Sequence, residues 1–209
     1  MTELHLLTDG TDHGTTIALA HGAGAPMDSP WMNDFATGLA DRGLRVVRFE
    51  FPYMHRRRVE GVRSGPNRPP VLLDTWRRVV AELAGAAKLL IGGKSMGGRI
   101  ASMVADECEV AGLVCLGYPF HPPGAPEKLR TAHLVDLRTP TLILQGTRDP
   151  FGVPDEVASY GLADSIQVQW LGDGDHSFKP RVRSGRTLEQ NMAEALDATA
   201  RFASDVAAR

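Results

Sequence analysis

An apolar run, Lys88-Leu89-Leu90-Ile91-Gly92, leads straight into Gly93-Lys94-Ser95-Met96-Gly97-Gly98, and apolar residues at helical spacing follow from Ile100 to Val104. A strand that becomes a helix within so few residues must reverse sharply. Gly-x-Ser-x-Gly permits that reversal, because glycine on either side lets neighbouring backbone pass close while the serine is lifted off the sheet in a strained conformation. The Met96 amide then sits at a helix N-terminus, where unpaired N–H groups favour negative charge. Serine between glycines is also an ordinary turn, so the weight lies on the strand before it and the helix after it.

The rest of the chain alternates in the same way. Residues 4–8, Thr16–Ala20, 44–51, 88–92, 111–116, 141–145 and 166–170 read as strands. Ser29 and Pro30 open a helix with Met32, Phe35, Ala36 and Leu39 on one face, closed by Gly43. A second helix carries Leu72, Leu73, Trp76, Val79, Val80 and Leu83 on one side. The last helix starts at a capping box, Thr187-Leu188-Glu189-Gln190, and buries Leu188, Met192, Ala195, Leu196 and Phe202. Residues 52–70 show little internal pattern and read as a loop. No repeat, low-complexity tract or linker interrupts the series, which predicts a single domain over residues 1–209.

Composition narrows the function classes. A net charge of -2 over 209 residues argues against a nucleic-acid binder. The first residues, Met1-Thr2-Glu3-Leu4-His5, lack the pattern of a signal peptide, and no apolar run approaches membrane-spanning length. The two cysteines, Cys108 and Cys115, lack metal-type spacing and read as free thiols in a reducing compartment. The expectation is a cytoplasmic protein that contacts neither membrane nor nucleic acid.

Strands alternating with helices imply a mainly parallel sheet covered on both faces, with ligands bound where the carboxyl ends of the strands meet. Candidate chemistry should therefore follow strands. Ser95 does. Asp149 lies in Gln145-Gly146-Thr147-Arg148-Asp149-Pro150-Phe151-Gly152, just past the strand at 141–145. His176 lies in Gly172-Asp173-Gly174-Asp175-His176-Ser177-Phe178, just past 166–170. With Ser, Asp and His in this order, the chain resembles a small α/β-hydrolase over nearly its whole length. It is most similar to the compact dienelactone-hydrolase-like branch, which includes relatives of a subunit of the NSL chromatin-acetylation complex. The segments Phe51-Pro52-Tyr53-Met54, Gly117-Tyr118-Pro119-Phe120-His121 and 145–152 carry that likeness. The resemblance implies the α/β-hydrolase fold without a large cap domain. It departs in one respect: dienelactone hydrolases proper use a cysteine nucleophile, so their substrate does not carry over to a chain with serine there.

The roles follow from the chemistry. Ser95 attacks a carbonyl carbon, His176 accepts its proton, and Asp149 fixes the imidazole tautomer. Asp149 before proline could instead merely start a turn, and Asp173 or Asp175 could be the acid, although both lie very near His176 in sequence. The Asp-Gly-Asp run lacks the further ligands of a calcium loop, and no metal or cofactor is expected. The oxyanion needs two N–H donors, Met96 and one from the loop after Thr16–Ala20, with Ala23 first and Gly22 next. His21 reads as a structural histidine. Arg56, Arg57, Arg58, Arg63 and Arg68, against Glu60 alone, form either a basic wall selecting acidic acyl groups, led by Arg56 and Arg63, or a solvated loop with its own pairs. Tyr118, Phe120 and His121 read as pocket walls or as ordinary loop packing. Nothing decides whether Lys94 and Arg99 tune the elbow. The expected activity is a serine hydrolase working through an acyl-enzyme on a small carboxylic ester or thioester. The alternatives are a peptidase with the same triad and an idle scaffold binding a protein partner.

Overall fold

A computed structural model describes residues 4–11, 14–84 and 88–209. Among them, seven strands form one sheet: β1 (Leu6–Asp9), β2 (Thr16–Ala20), β3 (Arg45–Phe49), β4 (Leu89–Lys94), β5 (Gly112–Leu116), β6 (Thr141–Gly146) and β7 (Ile166–Leu171). Their order is β1-β3-β2-β4-β5-β6-β7, with β1 antiparallel to β3 and every other pairing parallel. After β2 the chain adds β3 on one side, then crosses back to place β4 on the other. A crevice opens at that reversal, outside the carboxyl ends of β2 and β4.

Helices α1 (Pro30–Ala40) and α6 (Leu188–Ala207) cover one face, packing Met32, Phe35, Leu39 and Leu196 on Ile17, Leu19, Leu90 and Val114. Helices α2 (Pro52–Glu60), α3 (Pro69–Glu82) and α4 (Met96–Ser102) cover the other, with Trp76 edge-on to Phe49 at 4.7 Å. Successive residues of β2 thus enter opposite cores, which is why Ile17–Ala20 are apolar without alternation. A short helix α5 (Pro154–Val157) follows β6, and no large cap domain is inserted. The start of α1 at Pro30 and its buried face agree with the sequence, although Ser29 makes no side-chain cap bond. At α6 the capping box forms in full. Thr187 Oγ1 accepts the Gln190 N–H at 3.2 Å, and the Gln190 side chain accepts the Thr187 N–H at 2.9 Å.

The segment 52–70 corrects the loop expectation, because its first half is helix α2. Pro52 supplies the fixed φ of a first helical residue, and Gly61 closes the helix at a left-handed φ of 69°. Tyr53 and Met54 enter the core. The four residues after them are polar, so no apolar periodicity advertised the helix. Residues 61–68 are irregular and largely exposed, and Asn67 Oδ1 accepts the Tyr53 N–H at 2.8 Å.

The sheet, the elbow and α4 meet with almost no space between backbones. A side chain at Gly97 would place Cβ 2.6 Å from both the Ala20 and the His21 carbonyl oxygens. Gly97→Ala should therefore lower stability by about 2 kcal/mol in chemical denaturation, since these carbonyls are backbone and cannot rotate away. A loss below about 0.5 kcal/mol, within the range of neutral surface changes, would mean that β2 and α4 are not locked together.

Candidate active site

Ser95 stands at the N-cap of α4 with φ 50° and ψ -114°, a conformation of high cost for a residue with a side chain. Its N–H donates to Leu116 O and its carbonyl accepts from Arg99 N–H, both at 3.0 Å, so sheet and helix each hold one end of the residue. Gly93, at φ 146°, is pressed against the Ala20 backbone. Met96 begins the helix, and its N–H belongs to the first-turn donors that have no partner within the helix.

Asp149 and His176 arrive from the turns after β6 and β7. The Asp149 carboxylate is fully buried, and Oδ2 meets His176 Nδ1 at 2.7 Å. Its remaining capacity is filled by the Gln145 side-chain amide, which donates to Oδ2 at 3.0 Å, and by the Phe151 N–H, which donates to Oδ1 at 3.0 Å. Gln145 is itself buried at the end of β6 and also donates to the carbonyls of Tyr118 and Gly152. Sequence reasoning missed this residue. Its only signal was an amide at the end of an apolar strand. Phe151 lies against the imidazole at 4.3 Å between ring centres. The Gly146 Cα faces the carbonyls of Gly174 and Asp175 so closely that no side chain would fit, which is how the two turns come together.

Asp173 and Asp175 shape the histidine turn instead of facing the ring. Asp173 is paired with Arg181 and Arg148, and the Arg181 guanidinium holds its carboxyl well below the usual carboxylate range. Asp175 Oδ1 accepts the N–H groups of Ser177 and Lys179. Between Ser95 Oγ and the imidazole no hydrogen bond forms in this structure, but both residues line one cavity of about 330 Å³. Such bonds are often long before substrate binds. The walls of this cavity include Gly22, Ala23, Trp31, Met32 and Lys94.

The loop after β2 lines that cavity with Gly22, Ala23 and Gly24. Its carbonyls are held elsewhere: Gly22 O by His21 Nδ1 at 2.6 Å and Ala23 O by the Tyr53 hydroxyl at 2.9 Å. His21 is fully buried, and its Nε2 accepts the Phe51 N–H at 3.1 Å. Burial lowers its pKa, so it is a neutral structural ring, as the sequence suggested.

The expected substrate contacts are corrected. Tyr118 and Phe120 are fully buried and His121 nearly so, and none lines the Ser95 cavity. The Tyr118 hydroxyl donates to Arg130 O at 2.9 Å, its ring packs on Phe120, and His121 is bonded to Pro122 O and Glu156. The fold packs Tyr118 and Phe120 into the core instead. None of the five arginines lines the cavity either. Arg56 makes an exposed pair with Glu60, and Arg63 and Arg68 are exposed before α3. Arg57 approaches Gly24 O at 3.5 Å. Arg58 forks onto the buried Glu50 carboxylate and onto Asp28, tying α2 to the loop after β2.

The cation in the cavity is Lys94, next to Ser95. Its Nζ donates to His176 O at 2.6 Å and lies 5.6 Å from the centre of the Trp31 ring. Burial pushes its pKa down to about 8, with Asp149 and Asp175 holding it up in part.

Comparison with known proteins gives the family and the fold. Residues 13–204 match the family model described as "Alpha/beta hydrolase domain", and the chain belongs to that family. Its fold is the α/β-hydrolase fold. A lid-less α/β serine hydrolase from Xanthomonas campestris is similar at TM-score 0.71 and 20% identity, over 95% of this chain and 89% of that one. Est1E from Butyrivibrio proteoclasticus is similar at 0.68 and 13%, over 96% and 95%. A dienelactone hydrolase from Anabaena variabilis is similar at 0.65 and 22%, over 96% and 89%. No helix among the described residues is long and apolar enough to cross a membrane.

The position of Lys94 has a measurable consequence. Its pKa is about 8 in the folded protein and near 10.5 in the unfolded chain, so above pH 8 the unfolded state binds the extra proton. The contribution of Lys94 to stability should therefore rise with pH between those values. Thermal melts of the wild type and Lys94→Met should show the wild type gaining on the variant over that range, and isotope-labelled lysine should titrate near 8 by NMR. A lysine that titrates with the bulk of the surface lysines would contradict its burial.

Proposed function

We propose that this protein is a cofactor-free serine hydrolase that cleaves short carboxylic esters or thioesters through an acyl-enzyme. The observation that carries this reading is the buried Asp149 carboxylate 2.7 Å from His176 Nδ1, with His176 and the strained Ser95 opening on one cavity. The chain's placement in the dienelactone-hydrolase-like branch, with relatives of an NSL-complex subunit, rests on the motifs at residues 51–54, 117–121 and 145–152. The fold's likeness to a lid-less serine hydrolase supports the same class.

In this mechanism Ser95 Oγ attacks the carbonyl carbon while its proton passes to His176 Nε2. Asp149 accepts the Nδ1–H and stabilises the imidazolium that forms. The carbonyl oxygen takes up the displaced electron pair and is met by the N–H groups of Met96 and of Ala23 or Gly22. Collapse expels the alkoxide or thiolate, which leaves with the proton from His176. Water then repeats the sequence on the acyl-enzyme and releases the acid. The water-exposed mouth and modest cavity favour small acyl groups, in a protein acting in the cytoplasm on a small-molecule substrate.

An active-site fluorophosphonate should label the wild type, and Ser95→Ala should abolish the label while leaving the melting temperature close to that of the wild type. A folded wild type that takes no label and cleaves neither esters nor thioesters would favour a scaffold that binds a protein partner. Among aryl esters, kcat/KM should fall as the acyl chain lengthens, and a steady rise to long chains would refute the small-acyl assignment. Asp149→Asn should slow turnover by about a thousandfold or more, because asparagine can hold the imidazole in the wrong tautomer. A loss under about tenfold would remove Asp149 from the mechanism.

A further inference from the structure

Trp31 belongs to the walls of two cavities. One is the cavity of about 330 Å³ that contains Ser95 and His176. The other, about 340 Å³, is lined by Leu188, Met192, Ala193 and Leu196 of α6 and by Trp31 and Asp34 of α1. Trp31, on α1, is the lining residue that the two cavities share. We propose that Trp31 is the residue that sets the acyl-length limit of the hydrolase, acting as a fixed end wall for the acyl chain. The inference rests on the serine-hydrolase reading and names the substrate class more closely: esters of straight-chain acids short enough to end at the indole.

The ring is held too well to be a casual surface residue. It stacks on Phe35 with centres 5.3 Å apart and planes within 4°, and it meets Phe178 edge-on at 5.4 Å. Phe35 and Phe178 are fully buried, so the indole cannot sink further into the core. Its Nε1–H donates to Ser177 O at 3.1 Å, and Lys94 Nζ lies over its face. Ser177 follows His176 and Lys94 precedes Ser95, so the wall is pinned by both neighbours of the reacting groups. The second cavity is lined by the apolar Leu188, Met192, Ala193 and Leu196 together with Asp34, Arg42 and Glu189. Removing the indole would let further methylenes leave water for the α1–α6 groove.

The test is the ratio of kcat/KM for an octanoyl aryl ester to that for the butanoyl ester, measured on one preparation so that partial inactivity cancels. Trp31→Ala should raise this ratio at least about tenfold, since each buried methylene is worth several-fold in binding. Trp31→Phe should leave it near the wild-type value, and Ala193→Trp added to Trp31→Ala should lower it again by refilling the groove. If Trp31→Ala does not fold, Trp31→Leu, which keeps an apolar contact on Phe35, is read by the same ratio. A merely structural role would lower both esters together and leave the ratio unchanged, and that result overturns the proposal. The same comparison of short- and long-chain alkyl fluorophosphonates reads the wall without turnover. Labelling with an unchanged ratio rejects Trp31 alone, whereas no labelling of the wild type rejects the hydrolase reading on which it rests.

Discussion

Ser95 occupies a backbone conformation that side chains avoid, and the surrounding backbone leaves it no other. Gly93 and Gly97 lie against Ala20 and His21, where a single added carbon would collide with carbonyl oxygens. The strain is sustained by the packing of β2, β4 and α4, each buried in cores built from Ile17, Leu90, Ile91 and Ile100. Everything proposed for the site depends on that contact. It lifts the serine into the crevice between β2 and β4, starts α4 so that the Met96 amide is free, and sets the loop after β2 beside both.

Asp149 and His176 are brought together by a second close approach, between the turns after β6 and β7. Gly146 admits the carbonyls of residues 174 and 175, and Gln145 reaches from below to fill the Asp149 carboxylate and tie it to Tyr118. A buried carboxylate without such partners would be costly. Lys94 then links the two halves, because it precedes the serine in sequence and holds the carbonyl of the histidine in space. One side chain thus couples the elbow to the histidine turn.

What was legible in the sequence was whatever the backbone dictates locally. The strand–turn–helix at Ser95, the positions of Asp149 and His176 past strand ends, the buried face of α1 and the capping box of α6 all follow from spacing and turn chemistry. The arginine-rich helix α2 was missed because burial of Tyr53 and Met54 alone sets no period, and Arg58 proved to serve Glu50 and Asp28. Tyr118, Phe120 and His121 were misassigned for a related reason: a loop after a strand may turn its aromatic residues toward the crevice or toward the core, and only packing decides. Gln145, four residues before Asp149, gave only an amide at the end of an apolar strand, and Trp31 was invisible because its partners are distant in sequence. The bond from Trp31 to Ser177 spans 146 positions.

The most direct test of the account is the structure of the protein after reaction with a small fluorophosphonate. The account predicts phosphorus bonded to Ser95 Oγ, its non-bridging oxygen within hydrogen-bond distance of the Met96 and Ala23 or Gly22 amides, and His176 still joined to Asp149. An adduct on another residue, or on Ser95 with that oxygen turned away from those amides, would contradict it.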